Sequence, residues 1–363
     1  MLKKINAIGD YSEGRNNTFD LIRFFAASIV LLFHACVLSF GTNASHDPLF
    51  IFTNGQFHLG KMGVAIFFIV SGFLITQSYE KNNHVLKFFL NRALRIFPAL
   101  IVLLLLTVFV LGPLVTTLPL RDYMQSPETY TYLKSVLLHP MYYSLPGVFA
   151  NTDDAGIVNG SLWTLEFEFL CYILVGILGV IKMLRKEIIL LFLLGVYWVS
   201  HSPDLIGNGY FASPITTELV KYFTVGMLCY LLRYYIIMHR YIAILSVILL
   251  VATSSFGHFQ FAFTFCGTYL VMFFAFMGNQ HLREFSKNGD YSYGLYIYSF
   301  PIQQLLVSLH GDRLNFAGLF LLSYPLTLIV AYFSWHLIEK RALNLKKYRF
   351  KAARLLKSKQ TLN

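Results

Sequence analysis

Charged residues are scarce in this 363-residue chain: Asp, Glu, Lys and Arg together make 13%, against roughly a quarter in soluble domains. With 56% hydrophobic residues and a mean hydropathy of +0.59, a water-soluble fold would lack the polar surface to cover itself. Cysteine is scarce as well. Cys36, Cys171, Cys229 and Cys266 all fall in apolar runs, with no Cys-x-x-Cys pair and no histidine at ligand spacing. That pattern argues against a disulfide framework and against a metal site. No internal repeat is visible, and the first seventeen residues are polar, so no cleavable signal peptide is expected. The chain should insert by its own first helix.

What the sequence has in abundance is apolar length. Ten candidate runs of mostly apolar residues, set against the about 18 or more needed to cross ~30 Å of hydrocarbon, occur at 19–40, 62–79, 96–116, 161–181, 187–201, 215–232, 241–256, 259–278, 292–309 and 317–338, of which the fifth and seventh are short. The expected fold class is all-α, a polytopic transmembrane helix bundle of about ten spans. One membrane-embedded domain is expected over 1–345, followed by a basic cytoplasmic tail over 346–363. With both termini cytoplasmic, 24 of the 29 Lys and Arg residues fall in inner segments. Lys61, Arg121, Lys134 and Arg313 fall outside, and Lys221 lies within a span. The net charge of +11 is thus mostly topological, and the basic residues from Lys340 to Lys359 suit an anionic lipid surface. No base-reading motif accompanies the charge, so nucleic acid is not an expected partner. Two outer segments, 41–60 and 117–160, are long enough to matter. The second, with Pro119, Pro127, Pro140 and Pro146, reads as an ordered cap.

Ionisable groups inside spans are costly and mark candidate sites. In the first span Asp20, Arg23 and His34 stand out. Eleven residues separate Arg23 from His34, close to three helical turns, so they share a face about 16 Å apart along the axis, with Asp20 near it. Read alone, this face is equally a boundary ion pair plus a histidine bonded to a neighbouring helix. Ser71-Gly72 in the second span suits close helix approach better than nucleophilic catalysis, since no base can be placed beside the serine. Arg92-x-x-Arg95 lies at the inner mouth of the third helix, ahead of Pro98, which suits a first helical turn. Guanidinium forks match phosphates, although boundary anchoring by itself accounts for both arginines. The fourth span opens with Trp163, which suits the interface, then Glu166 and Glu168. The two carboxylates are about 200° apart round the helix, so only one can line a narrow site. That one is placed either to orient His34 and raise its basicity, or to stay neutral or paired.

Six blocks recur in order along the chain: Phe19-Asp20-Leu-Ile-Arg23 with His34-Ala35; Gly63-Val with Phe67-Phe68 and Ser71-Gly72-Phe-Leu-Ile; Arg92-x-x-Arg95-Ile-x-Pro98; Trp163-Thr-Leu with Glu168 and Tyr172; Ser292-Tyr293 with Tyr296 and Pro301-Ile302; and Ile338-Glu339. Together they resemble the acyltransferase 3 family of bacterial membrane acyltransferases, which acylate sugars of O-antigen, exopolysaccharide, peptidoglycan and Nod factors. The resemblance covers nearly the whole chain. It carries over most directly to Arg23, His34, Arg92 and Arg95, and it selects Glu168 over Glu166. Three positions depart from the family pattern: Ala65 stands where Asp is frequent, Ser299 where His is frequent, and Arg341 where Pro is frequent.

The resemblance implies a membrane O-acyltransferase of the bacterial inner membrane. It would move an acyl group, acetyl foremost, from cytoplasmic acyl-CoA to a hydroxyl of a cell-surface or lipid-linked polysaccharide. Arg92 and Arg95, with Arg23, would hold the phosphates of acetyl-CoA, which acts as a co-substrate rather than a permanently bound cofactor. His34 would act as general base or transient acyl carrier, Glu168 would orient it or contact the sugar, and Trp163 and Asp20 would contact substrate. The partners are then acyl-CoA on the inner side, a glycan or lipid-linked oligosaccharide on the outer side, and membrane lipid. A transporter or flippase for a lipid-linked sugar or small solute is the alternative. Neither an inverted repeat nor paired Gly/Pro-broken helices speak for it.

Overall fold

A computed structural model describes residues 7–11, 17–41, 44–82, 84–150, 156–202, 213–311 and 314–345. The expected basic tail over 346–363, along with Lys3, Lys4, Arg15 and Arg313, lies outside these. Long helices coincide with all ten apolar runs. They are α1 (Phe19–Phe40), α2 (Leu59–Asn82), α3 (Val85–Val115), α4 (Trp163–Val180) and α5 (Lys186–His201). The second half holds α6 (Pro214–Leu231), α7 (Arg240–Phe256), α8 (Phe259–Met277), α9 (Ser292–His310) and α10 (Phe316–Leu345). No β-strand occurs among the described residues, only three isolated bridge pairs.

Six of these helices, α1, α2, α3, α4, α8 and α10, are long and apolar enough to cross a membrane. The protein is an all-helical, multi-pass membrane protein. Two of the others fall short in length, α5 with 16 residues and α7 with 17. The remaining two, α6 and α9, fall short in hydropathy because most of their residues are buried against other helices rather than facing the outside of the bundle. A helix shielded by its neighbours can carry Glu218, Lys221, Gln303 and Gln304 without presenting them to lipid.

The third helix begins eleven residues before its apolar run, at Val85 rather than 96. Pro98 therefore lies in the helix interior, not in its first turn as expected. Apolar reading stopped at Arg92 and Arg95, yet the helix continues through both because acidic and aromatic groups of other helices receive them. In α10, likewise, the helix runs past 338 through Glu339 to Leu345.

The bundle is drawn tight at α2 and α6. A Cβ on Gly72 would come 2.0 Å from the Phe223 carbonyl oxygen, and one on Gly226 would come 2.1 Å from that of Ile69. Only glycine permits this mutual backbone approach, so Gly72 serves packing, as its small size suggested. Around this pair, α1 packs on α2, α9 and α10, while α4 packs on α2 and α3. The result is an inner ring of α1, α2, α4, α6 and α9.

The ordered cap is present over the described part of 117–160. Tyr123 is fully buried and its hydroxyl donates to the Val108 carbonyl at 2.8 Å, fastening the cap to α3. Asn159 donates to the Ile297 carbonyl and Gln304 to the Ile157 carbonyl, both at 2.9 Å, fastening its end to α9. In the shorter segment the buried Asp47 carboxylate accepts from the backbone of Leu49, Phe50 and Leu59, which fixes the start of α2.

Candidate active site

At one end of the ring three helices bring their charges together. Asp290, just ahead of α9, receives Arg23 of α1 at 3.0 Å and Arg95 of α3 at 2.6 Å on the same carboxylate oxygen. Its other oxygen accepts from the backbone and hydroxyl of Ser292. Arg95 reaches a second carboxylate, Glu339 of α10, at 3.4 Å, and Glu339 accepts from Ser334 at 3.0 Å. The Arg95 guanidinium also lies 5.7 Å from the Tyr293 ring centroid and 5.9 Å from that of Trp335. This pairing offsets the cost of burying the Arg95 guanidinium.

Arg92 is placed differently. One turn before Arg95, it lies 6.0 Å from the Tyr172 ring centroid, and its Nε is buried without a hydrogen-bond partner. Among the described residues no carboxylate comes within ion-pair distance of it. Asp20, expected to share the face of Arg23, accepts instead from the Ser286 hydroxyl at 2.6 Å and lines neither of the two cavities described next.

The two α4 carboxylates diverge as their helical phase requires. Glu166 meets His139 of the cap at 2.5 Å, whereas Glu168 accepts from Tyr172 one turn on and from Ser71 of α2 at 3.4 Å. Glu168, Ser71 and Arg23 line a small cavity of about 30 Å³, together with Tyr293 and Tyr296 of α9. Next to it is a larger chamber of about 200 Å³. Val64 of α2 and Tyr296 form part of the wall of both, so these two side chains divide the small cavity from the chamber. Tyr296 is held in place by a 2.6 Å hydrogen bond with Thr164.

The larger chamber contains His34. It is 8% exposed, its ring meets that of Phe300 edge-on at 5.0 Å, and its Nδ1 is buried without a hydrogen-bond partner. Trp163 lines the same chamber, as do Lys61, Glu218 and a second histidine, His58. His58 stacks on Phe33 at 4.4 Å and its Nδ1 accepts from the Lys61 backbone at 3.1 Å. With Nδ1 an acceptor, the neutral ring carries its proton on Nε2. Burial first, then the nearby Lys61 ammonium, hold the His58 imidazole down at about 4 against a pull upward from Asp47, so it is neutral at physiological pH.

Of the residues singled out in the sequence, Arg23 and Glu168 share the small cavity, while His34 and Trp163 share the chamber. Glu168 and His34 are not joined by a hydrogen bond, because Glu168 is bonded to Tyr172 and Ser71 and the His34 Nδ1 has no partner. Sequence reasoning missed Asp290, whose only signal was an acid immediately ahead of the Ser292-Tyr293 block. It also missed His58, which lies just outside an apolar run.

An all-helical membrane bundle with charged and histidine side chains meeting inside it is the architectural class, and comparison with known proteins gives the family. The family model described as an acyltransferase domain matches residues 16–336. This chain therefore belongs to the acyltransferase 3 family and is an acyltransferase. It is similar to an O-acetyl transferase of Shigella phage Sf6, 31% identical over 344 residues that cover 91% of this chain and 96% of the relative. It is also similar to Nodulation protein 10 of Rhizobium leguminosarum bv. viciae, 35% identical over 178 residues, 45% of this chain and 44% of the relative. No solved structure matches it.

Proposed function

We propose that this protein is an O-acetyltransferase that moves acetyl from cytoplasmic acetyl-CoA to a hydroxyl of a cell-surface or lipid-linked glycan. We place it in the bacterial inner membrane, with both termini and the arginine cluster on the cytoplasmic side. The observation that carries this reading is the succession of two cavities divided by Val64 and Tyr296, with Arg23 on one and an unpaired His34 on the other. Such a succession suits a donor entering from one side and an acceptor from the other.

Arg92, which has no carboxylate within ion-pair distance among the described residues, is the phosphate contact in this reading. Arg23 and Arg95 shape the entrance through Asp290. The pantetheine arm passes Val64 and Tyr296 to bring the thioester to the chamber. His34 takes the proton of the attacking hydroxyl, the new C–O bond forms as the C–S bond breaks, and the proton returns to the departing thiolate. His58, with a proton on Nε2, offers a neutral donor to the carbonyl oxygen as it gains charge. Glu168, bonded to Tyr172 and Ser71, lines the donor path rather than orienting the imidazole.

The test is transfer of radiolabelled acetyl from acetyl-CoA to glycan in membranes containing the protein. His34→Ala should lower the rate by about a thousandfold, within the span general-base removal usually produces. Wild-type turnover in a properly folded His34→Ala protein would sink the assignment.

A further inference from the structure

Beside the His34 chamber lies another hollow of about 380 Å³, bounded by α2, α5, α6, α8 and the turn ahead of α8. Its volume is in the usual range of small-molecule sites, about 300–1,000 Å³. Lys61 and Glu218 line both spaces, so the hollow is a vestibule to the chamber. Unlike the apolar grooves on the outside of the bundle, it is polar. Lys61, His201, Glu218, Lys221 and His258 face it, with Tyr197 and Phe261 supplying aromatic surface.

Among the described residues lining this vestibule the charges do not cancel. Lys61 pairs with Glu218 at 3.2 Å. Lys221, on the next turn of α6, has no carboxylate within ion-pair distance among the described residues and rests 5.1 Å from the Tyr197 ring centroid. A cation held over an aromatic ring in a polar hollow, with no described carboxylate within ion-pair distance, is a ready contact for an anionic ligand. Aromatic rings give flat apolar surface to the C–H face of a sugar.

We infer that the vestibule is the acceptor site and takes a saccharide bearing an anionic group, a carboxylate or a phosphate, held by Lys221. The Lys61–Glu218 pair forms the sill across which the sugar hydroxyl reaches His34. This inference rests on the acetyl-transfer reading for the identity of the chamber, while the vestibule's preference for anions is measurable without any transfer.

The experiment uses the full chain in lipid nanodiscs and compares binding of methyl glucuronide, methyl glucoside and inorganic phosphate. Methyl glucuronide should bind about tenfold more tightly than methyl glucoside, the gain expected of one partly buried charge contact. Lys221→Met should abolish that preference and Lys221→Arg should retain it. Phosphate that displaces the glucuronide only where residue 221 is basic would identify a phosphate-bearing acceptor, and its failure to do so a carboxylate-bearing one. Equal binding of glucuronide and glucoside by the wild-type protein, or a preference that survives in Lys221→Met, overturns the inference. The wild-type comparison decides the matter even if the methionine variant does not fold. A Lys221-dependent preference without acetyl transfer would leave the vestibule standing and remove the transfer reading. Transfer to a neutral glycan indifferent to Lys221 would do the reverse.

Discussion

The two ends of α1 handle burial of an ionisable group in opposite ways. Arg23 meets a carboxylate that also binds Arg95, and Arg95 meets a second one, so charge in this region is matched across α1, α3, α9 and α10. Three helical turns away His34 has an unpartnered Nδ1 in a mostly apolar chamber. The Arg23 and Arg95 guanidinium groups cannot shed their charge and are held by carboxylates, whereas an imidazole is stable when buried as the neutral ring. The first arrangement fixes position, and in the proposed mechanism the second leaves a nitrogen free to react.

The sharpest way to break this contrast is at Asp290. Asp290→Ala would leave Arg23 without a carboxylate and Arg95 with Glu339 alone. It should cost about 3 kcal/mol or more of stability, the usual penalty for breaking a buried pair. Thermal unfolding of the purified protein measures it, and a loss under about 1 kcal/mol would mean the cluster is as weak as a surface ion pair.

Acid should also weaken the fold through the histidine chamber. His58 titrates at about 4 when folded and near 6.5 when unfolded. Between those values the unfolded chain takes a proton that the folded chain refuses. Stability thus falls as pH drops through this window, is unaffected by His58 above it, and levels off below it. The loss is at most about 3 kcal/mol. Comparing unfolding midpoints of the wild type and His58→Gln from pH 7 to pH 4 isolates this contribution, and parallel curves would refute it.

Within the arginine cluster itself, Arg92 and Arg95 should separate. Arg92→Ala should weaken acetyl-CoA binding about tenfold with little loss of stability, because no ion pair is broken. Arg95→Ala should chiefly destabilise, since it strips Asp290 and Glu339 of a common partner. Calorimetric titration alongside thermal unfolding distinguishes the two, and identical behaviour would show that position along α3 does not matter. The smallest effect belongs to the divide between the cavities. Tyr296→Phe removes one hydrogen bond to Thr164 and should cost about 1 kcal/mol in the same unfolding assay. Its use lies in the donor assay, where a loosened divide should admit longer acyl groups, and unchanged discrimination between acetyl- and butyryl-CoA would argue against a role for Tyr296 in donor passage.

Much of the bundle was legible without coordinates. Apolar length located a helix at each of ten places, because a bilayer penalises exposed polar backbone. Helical phase put Arg23 and His34 on one face and sent Glu166 and Glu168 apart, and the structure keeps both relations. These depend only on 3.6 residues per turn. What the sequence could not place were partners distant along the chain. Asp290 lies 267 positions from Arg23 and 195 from Arg95, and nothing local to any of the three announces the meeting. For the same reason the reach of α3 through its arginines, the binding of Glu168 by Tyr172 and Ser71, and the vestibule around Lys221 came only with the fold. Periodicity along one helix is set by the backbone and can be read from its residues. The choice of which helices face each other is made by packing, as where Gly72 and Gly226 let α2 and α6 touch, and only the assembled bundle contains it.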